Sequence, residues 1–135
     1  MPNSITIKTK IRSFNKEISV SGDKSLSIRW VLFASLARGV SKARNLLMSE
    51  DVLAAISAIK QLGIKTSTKN NECKIYGKGI NGYKYKKNII INAQNSGTLG
   101  RLILGLLINT THKIKLIGDK SLSKRDFKRI SNPLS

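Results

Sequence analysis

The stretch Ser21-Gly22-Asp23-Lys24-Ser25-Leu26-Ser27-Ile28-Arg29 organises the chain. It joins a short β-like run, Ile18-Ser19-Val20, to a strongly apolar helix that continues from Trp30 to Leu36. A helix start leaves backbone N–H groups unpaired and carries the positive end of the helix dipole. Lys24 and Arg29 add two cations, so an anion site is the economical expectation. Ser25 and Arg29 are four apart and share one helix face. A solvated helix start with incidental charges explains the stretch equally well while it stands alone.

Upstream, Ile5 to Lys10 alternates apolar and polar residues, which predicts a strand, and Phe14 to Val20 predicts a second extended run. The helix from Ser25 to Arg38 is apolar almost all round, through Leu26, Ile28, Trp30, Val31, Leu32, Phe33 and Leu36. That pattern predicts burial on most faces, with Gly39 as the C′ residue. Ser41 to Leu46 reads as extended. Ser49 reads as an N-cap with Glu50 and Asp51 in the first turn behind it. Val52, Ile56, Ile59 and Leu62 then form one helical stripe, closed by Gly63. Ile64 to Ser67 and Cys73 to Tyr76 predict two strands around a Lys69-Asn70-Asn71 turn. Gly77 to Gly82 reads as a connection and Ile89 to Asn92 as a short strand. Asn95-Ser96-Gly97-Thr98-Leu99-Gly100-Arg101 opens a third helix. Lys113 to Ile117 alternates as a strand, Gly118 to Arg125 reads as a loop, and Phe127 to Leu134 as the start of a helix. The order is β-α-β-α-β-β followed by β-α-β-(α): an α/β (α+β) chain with one full unit and part of a second. The end, Ser131-Asn132-Pro133-Leu134-Ser135, has no C-cap glycine and no closing strand, so the chain is expected to be the front portion of something longer.

The 135 residues make one small domain, and 40% hydrophobic content is enough for a core. Cys73 is the single cysteine, so an internal disulfide is excluded. With no Cys/His cluster, no metal site is expected, and a reducing compartment fits. His112 stands alone after two threonines and reads as an exposed loop residue. Met1-Pro2-Asn3-Ser4 lacks the features of a signal peptide. The longest apolar run, Leu102 to Ile108, is too short to span a bilayer. A soluble, cytoplasmic protein without membrane association is expected.

The formal charge of +18 admits three readings: nucleic-acid binding, attraction of small polyanionic substrates, or compositional bias towards Lys, Asn and Ile. Lys8, Lys42, Lys60, Lys78 and Lys115 are scattered, and only Lys84 to Lys87 is dense. Scatter argues against a dedicated nucleic-acid stripe.

Three junctions share one chemistry: Lys24, Ser25 and Arg29; Asn95-Ser96-Gly97-Thr98 with Arg101; and Gly118 to Arg125 with Lys120, Lys124 and Arg125. Glycine admits close approach of a ligand to the backbone, and Ser and Thr supply hydroxyl donors. Neither a Walker A loop nor a G-x-G-x-x-G fingerprint occurs. The first and third junctions share the string Gly-Asp-Lys-Ser-Leu-Ser-x-Arg, read as coincidence within two anion-binding loops. Three arginine-bearing junctions predict one pocket for a ligand with several negative groups, because guanidinium forks match carboxylate and phosphate. Among the seven acids, Asp51 is placed nearest that pocket, although capping of its own helix is the stronger reading. The lone His112 excludes a Ser/His/Asp or Cys/His set.

These motifs resemble the 5-enolpyruvylshikimate-3-phosphate synthase (3-phosphoshikimate 1-carboxyvinyltransferase) family. Gly22 to Arg29 looks like its P-G-D-K-S-[IL]-S-x-R, and Asn45 to Asp51 like its N-x-L-x-S-[ED]-D. Asn95 to Thr98 with Arg101 looks like N-[SA]-G-T-x-x-R, and Gly118 to Arg125 like G-D-x-S-L-x-x-R-P. Ser21, Gln94 and Asp126 stand where the family usually has Pro, Gly and Pro, and Ile28 fills a position commonly polar. The resemblance covers the first third of a family member and implies the inverse α/β barrel. Residues 1–20 would then hold first strands of the other domain, and 21–135 an incomplete substrate-binding domain. It implies that Lys24, Ser25 and Arg29 bind shikimate 3-phosphate. Lys24, Asn95, Gly97 and Arg125 would bind phosphoenolpyruvate, supported by Asp51, Ser96, Thr98 and Arg101. No metal or organic cofactor is implied, the general acid/base is expected beyond residue 135, and the remainder of the enzyme is an expected partner. The sister UDP-N-acetylglucosamine enolpyruvyl transferases carry Lys-Asn where this chain has Lys24-Ser25, and rank second. A basic nucleic-acid-binding module and a non-catalytic binder of shikimate 3-phosphate are the remaining alternatives.

Overall fold

The computed structural model describes residues 6, 8, 13, 15 and 17–134. The strand expected over Ile5 to Lys10 falls outside the described residues, Thr6 and Lys8 apart. The described part of the second extended run is not a strand. Ile18 and Val20 are 72% and 70% exposed and pair with no strand among the described residues.

The first helix, α1 (Lys24–Leu36), begins at Asp23, whose carboxylate accepts the Leu26 N–H at 2.7 Å. This is an N-cap bond, and it sets the helix start. Ile28, Val31 and Leu32 are buried, but Leu26 and Phe33 are 65% and 62% exposed. The expectation of burial on most faces is thus corrected: one side of α1 meets the core and the opposite side meets solvent. Gly39 is not its C′ residue. The helix ends at Leu36 with Ala37 already extended, and Gly39 (φ +100°) lies within strand β1 (Arg38–Arg44).

Helix α2 (Glu50–Gln61) follows from Ser49, and its stripe of Val52, Ile56, Ile59 and Leu62 is buried as the spacing predicts. Ser49 occupies the N-cap position with extended backbone, but its side chain makes no cap bond, and its buried hydroxyl has no hydrogen-bond partner among the described residues. Gly63 (φ +84°) ends the helix. Strands β2 (Lys65–Lys69) and β3 (Glu72–Lys78) form a hairpin around Asn70 and Asn71, at φ 50° and 59°. Two consecutive positive φ values are what a tight two-residue hairpin needs, and asparagine tolerates them better than most residues. β3 extends through Gly77 and Lys78, which the sequence places in the connection. Gly77 is obligatory there: a Cβ would run into the carbonyl oxygens of Ala34 and Ala37. The antiparallel sheet has the order β1-β3-β2, with Cys73 opposite Ala43 on one side and Thr68 on the other. Cys73 and Ile75 face the core, where β3 packs against α1.

Strand β4 (Ile90–Asn92) and strand β5 (Lys115–Ile117) pair in parallel, with helix α3 (Gly97–Leu106) as the crossover. Ile91, Leu99 and Ile103 extend the same core. The expected loop over Gly118 to Arg125 contains a one-turn helix, α4 (Lys120–Ser123). The final helical stretch resolves into α5 (Lys128–Ser131) and a 3-10 turn, Asn132–Leu134. The described order is therefore α-β-α-β-β, then β-α-β-α-α. This is the mixed α/β architecture the sequence predicts; the strand expected over Ile5 to Lys10 lies outside the described residues, Thr6 and Lys8 apart.

Candidate functional site

Lys24 is the first residue of α1, and its ammonium lies 3.0 Å from the Asp51 carboxylate, which sits in the first turn of α2. Asp51 thus lies beside the cation that the sequence singles out. Ser25 is partly exposed and Arg29 exposed one turn further along. Neither side chain makes a hydrogen bond or ion pair with another described residue. The turn ahead of α1 is locked in place from behind. Gly22 lies against Asn45, whose carbonyl oxygen a Cβ would strike. The Asn45 amide donates to the Val20 carbonyl at 3.1 Å, and Ser27 Oγ accepts the Leu47 N–H at 3.1 Å.

The second cluster forms where the α3 entry meets the turn after β5. Ser96 is buried and caps α3, its Oγ accepting the Leu99 N–H at 3.2 Å. It therefore serves the helix start. Gly97 opens the helix, and a Cβ there would fall 2.7 Å from Arg125 Nη1 and 3.1 Å from Arg101 Nη1. The absence of a side chain at Gly97 leaves room for both guanidinium groups close to this backbone. Arg125 Nη2 donates to Asn95 Oδ1 at 2.9 Å. Arg101 donates to the Asp126 carbonyl at 3.4 Å and stands 5.5 Å from the centre of the Phe127 ring. Asp126 does not take Arg125 as a partner: its Oδ1 accepts the Lys128 N–H at 2.8 Å. Thr98 is partly exposed on the first turn of α3.

The first turn of α2 borders both clusters. Asp51 meets Lys24, while Glu50, beside it, lines a groove with Leu53, Ala54, Ser57 and Gln94. Lys24 is held by Asp51, whereas Asn95, Gly97, Arg101 and Arg125 are gathered directly. Sequence reading named these residues but missed what joins them. The Asp119 N–H donates to the Gln94 carbonyl at 2.8 Å, and this bond docks the Gly118 turn onto the Asn95 loop. Gln94 holds φ +54°, a left-handed backbone that costs a side-chain-bearing residue energy. The glycine usual there in the resembled family was the available signal.

Other perturbed groups lie outside these clusters. Hydrogen bonding to Lys74 and then Arg44 lowers the Glu72 carboxyl pKa. Burial raises the Cys73 thiol, opposed by Thr68. Burial raises the Tyr83 phenol, opposed by its hydrogen bond with Ser35. Exposed His112 packs edge-on against the Tyr85 ring, with ring centres 6.0 Å apart. No group of His, Cys, Asp and Glu among the described residues is arranged to hold a metal ion, and no described helix is long and apolar enough to cross a membrane.

Residues 8–135 match the family model described as EPSP synthase (3-phosphoshikimate 1-carboxyvinyltransferase). The 3-phosphoshikimate 1-carboxyvinyltransferase of Bacillus cytotoxicus is 41% identical over 123 residues, covering 91% of this chain and 29% of that protein. The Streptococcus sanguinis enzyme of the same name is 39% identical over 128 residues, covering 95% and 30%. A solved EPSP synthase structure from Acinetobacter baumannii superposes with a TM-score of 0.79 at 37% identity, covering 87% of this chain and 26% of that one. The chain therefore spans about 30% of the length of the curated relatives it matches. The motifs around Gly22, Asn45, Gly97 and Gly118, the shared fold and the match over residues 8–135 establish that this chain belongs to the EPSP synthase (3-phosphoshikimate 1-carboxyvinyltransferase) family.

Proposed function

We propose that this chain supplies part of the substrate site of a 3-phosphoshikimate 1-carboxyvinyltransferase. The reaction moves the enolpyruvyl group of phosphoenolpyruvate onto the 5-hydroxyl of shikimate 3-phosphate and releases phosphate through a tetrahedral intermediate. The observation that carries the reading is the convergence of Arg101 and Arg125 on Gly97, with Asn95 orienting Arg125. Two guanidinium groups against bare backbone, at the start of a ten-residue helix, suit a phosphate or carboxylate. Arg125, Gly97 and Asn95 would take phosphoenolpyruvate, with Arg101 and Thr98 shaping the loop and Ser96 capping it. Lys24, Ser25 and Arg29 would take the phosphate of shikimate 3-phosphate. Lys24 would also reach phosphoenolpyruvate, with Asp51 fixing its ammonium until the anions arrive. Positioning two anions by fixed cations and helix starts contributes to catalysis without a cofactor.

Residues 1–20 would belong to the other domain of the complete enzyme, and 21–135 to an incomplete substrate-binding domain. The general acid/base would come from the rest of the enzyme, so the 135-residue chain alone would bind substrate without turning it over. A cytoplasmic location suits a chain with one buried, unpaired thiol.

Amide NMR titration of the chain with phosphoenolpyruvate and with shikimate 3-phosphate tests this. Shifts at Asn95 and Gly97 with the first ligand, and at Ser25 and Arg29 with the second, are expected. A response unchanged in Arg125→Ala and Arg29→Ala, or no response at millimolar ligand, overturns the assignment.

A further inference from the structure

Lysines that are scattered in the sequence stand side by side on the β1-β3-β2 sheet, because strand positions two apart point the same way. Cys73 and Ile75 turn one face of β3 to the core, and their neighbours form the outer face. One cross-strand row there is Lys42, Lys74 and Ser67, and the next is Arg44, Glu72 and Lys69. On the other side of the first row stand Val40, Tyr76 and Lys65. Lys42, Arg44, Lys65 and Lys69 are exposed, and Lys74 and Tyr76 are half-buried. Glu72 is the one carboxylate in these rows, and it is already engaged by Arg44 at 3.4 Å and Lys74 at 3.1 Å. Lys42 has Lys74 directly opposite, and like charges so placed destabilise a sheet. An anion laid across the pair removes that cost. The Lys65 ammonium stands 5.3 Å from the centre of the Tyr76 ring. Beside the hairpin turn, Arg44, Lys69 and Lys74 help to line a concavity of about 550 Å³.

We propose that this outer sheet face binds single-stranded nucleic acid, as a surface that shares no residue with the clusters at Lys24 and Gly97. Charge complementarity and the layout of the cations select the occupant. Cations recur about every 6.6 Å along a strand and about every 4.8 Å across strands. An extended phosphate backbone laid over the face therefore meets a cation at successive steps. Tyr76 stands among them as a ring on which an unpaired base can stack. A duplex keeps its bases stacked inside, out of reach of a tyrosine on a flat sheet. An anionic membrane surface is met by basic faces carrying large apolar side chains, and Val40 and Tyr76 are the only residues of that kind in these rows. The surface is additional to the family reaction and does not depend on it.

Fluorescence anisotropy of short labelled oligouridylate and oligothymidylate, titrated with the 135-residue chain over a range of salt, tests this. Binding of one or both strands is expected, with log K falling against log salt at a slope of about −3, as for about four phosphates. Lys42→Gln together with Lys69→Gln should halve that slope and weaken binding about tenfold or more. The urea midpoint of that variant should hold or rise, because Lys42→Gln relieves the repulsion with Lys74. Tyr76→Leu should weaken binding about fivefold or more with the slope unchanged. Lys113→Gln together with Lys115→Gln, the same change of charge at exposed positions beside the second sheet, should change affinity less than about twofold, and Arg125→Ala should leave it intact. No binding at about 50 mM salt overturns the proposal. So does an equal loss in the Lys113 and Lys115 variant, which would make the charge of the whole chain responsible. Indifference to Tyr76→Leu, or equally tight binding of a duplex, of heparin or of phosphatidylserine vesicles, also overturns it.

Discussion

The turns Gly22 to Arg29 and Gly118 to Arg125 differ in sequence at one position, Ile28 against Lys124, and they fold alike up to that point. In both, an aspartate side chain accepts the leucine N–H at 2.7 Å. In both, a serine N–H returns to that aspartate's carbonyl at 2.9 Å. Each glycine presses on the carbonyl of a non-glycine residue at positive φ, Asn45 at 58° and Gln94 at 54°. The identity, read from sequence as coincidence, encodes one capped turn used twice. The turns then part. Ile28 enters the core and α1 runs for 13 residues; Lys124 stays in solvent and α4 stops after four. Capping starts a helix, and buried apolar surface prolongs it. The stop also decides where the two arginines go. Arg29 stays on its helix, whereas Arg125, past the end of α4, reaches Asn95.

The largest test makes the first turn resemble the second. Ile28→Lys puts an ammonium where the side chain is 0% exposed. It should cost more than about 4 kcal/mol, read as loss of the urea transition together with α1 helicity. A tolerated lysine at this position would show that α1 does not depend on burial. The reverse change, Lys124→Ile, should not lengthen α4, because Asp126 already caps the next turn through the Lys128 N–H. The leucines give the next contrast. They hold the same place in the string, yet Leu122 is 3% exposed and Leu26 is 65% exposed. Leu122→Ala should lose about 2–4 kcal/mol, and Leu26→Ala less than about 0.5 kcal/mol, in urea melts of the isolated chain. Equal losses would erase the distinction between the two turns.

What was legible in the sequence was local. The stripe of α2, the Asn70-Asn71 hairpin and the Gly63 stop each follow from a few adjacent residues. The four loop motifs were legible for the same reason. The rest needed distant chain. Ile18-Ser19-Val20 has strand-like residues, but strand formation requires a pairing edge that no run of three residues encodes. The apolar residues of α1 announce burial without saying whether this chain owns the covering surface. Asn95 and Arg125 are 30 residues apart, and only the docking of the Gly118 turn against Gln94 makes them neighbours. Asp51 was assigned mainly to capping because the partner that claims it, Lys24, lies on another helix.

The two arginines should differ in how much their shape matters. Arg125 is oriented by Asn95 and converges with Arg101, so a lysine keeps the charge and loses the fork. Arg125→Lys should weaken phosphoenolpyruvate binding about tenfold, or about 1.4 kcal/mol. Arg29 has no such orienting partner among the described residues, and Arg29→Lys should weaken shikimate 3-phosphate binding by only about two- to threefold. Calorimetry of each variant with each ligand reads both. Equal sensitivity would mean that Asn95 does not orient Arg125 in solution.

The smallest effect tests the shared half of the comparison. If the string is one device used twice, Asp23→Ala and Asp119→Ala should each cost about 1 kcal/mol, read from urea midpoints. The two caps accept at the same distance, so an equal cost means that capping is local and that everything else separating α1 from α4 is propagation. A larger cost at Asp119 has a clear source: four residues have little besides the cap to hold them, and losing it would also release Leu122 from the core. A cost at Asp119 below half that at Asp23 would go the other way. Leu122 packing alone would then hold the second turn, and the eight-residue likeness would be a likeness of letters without a common physical cause.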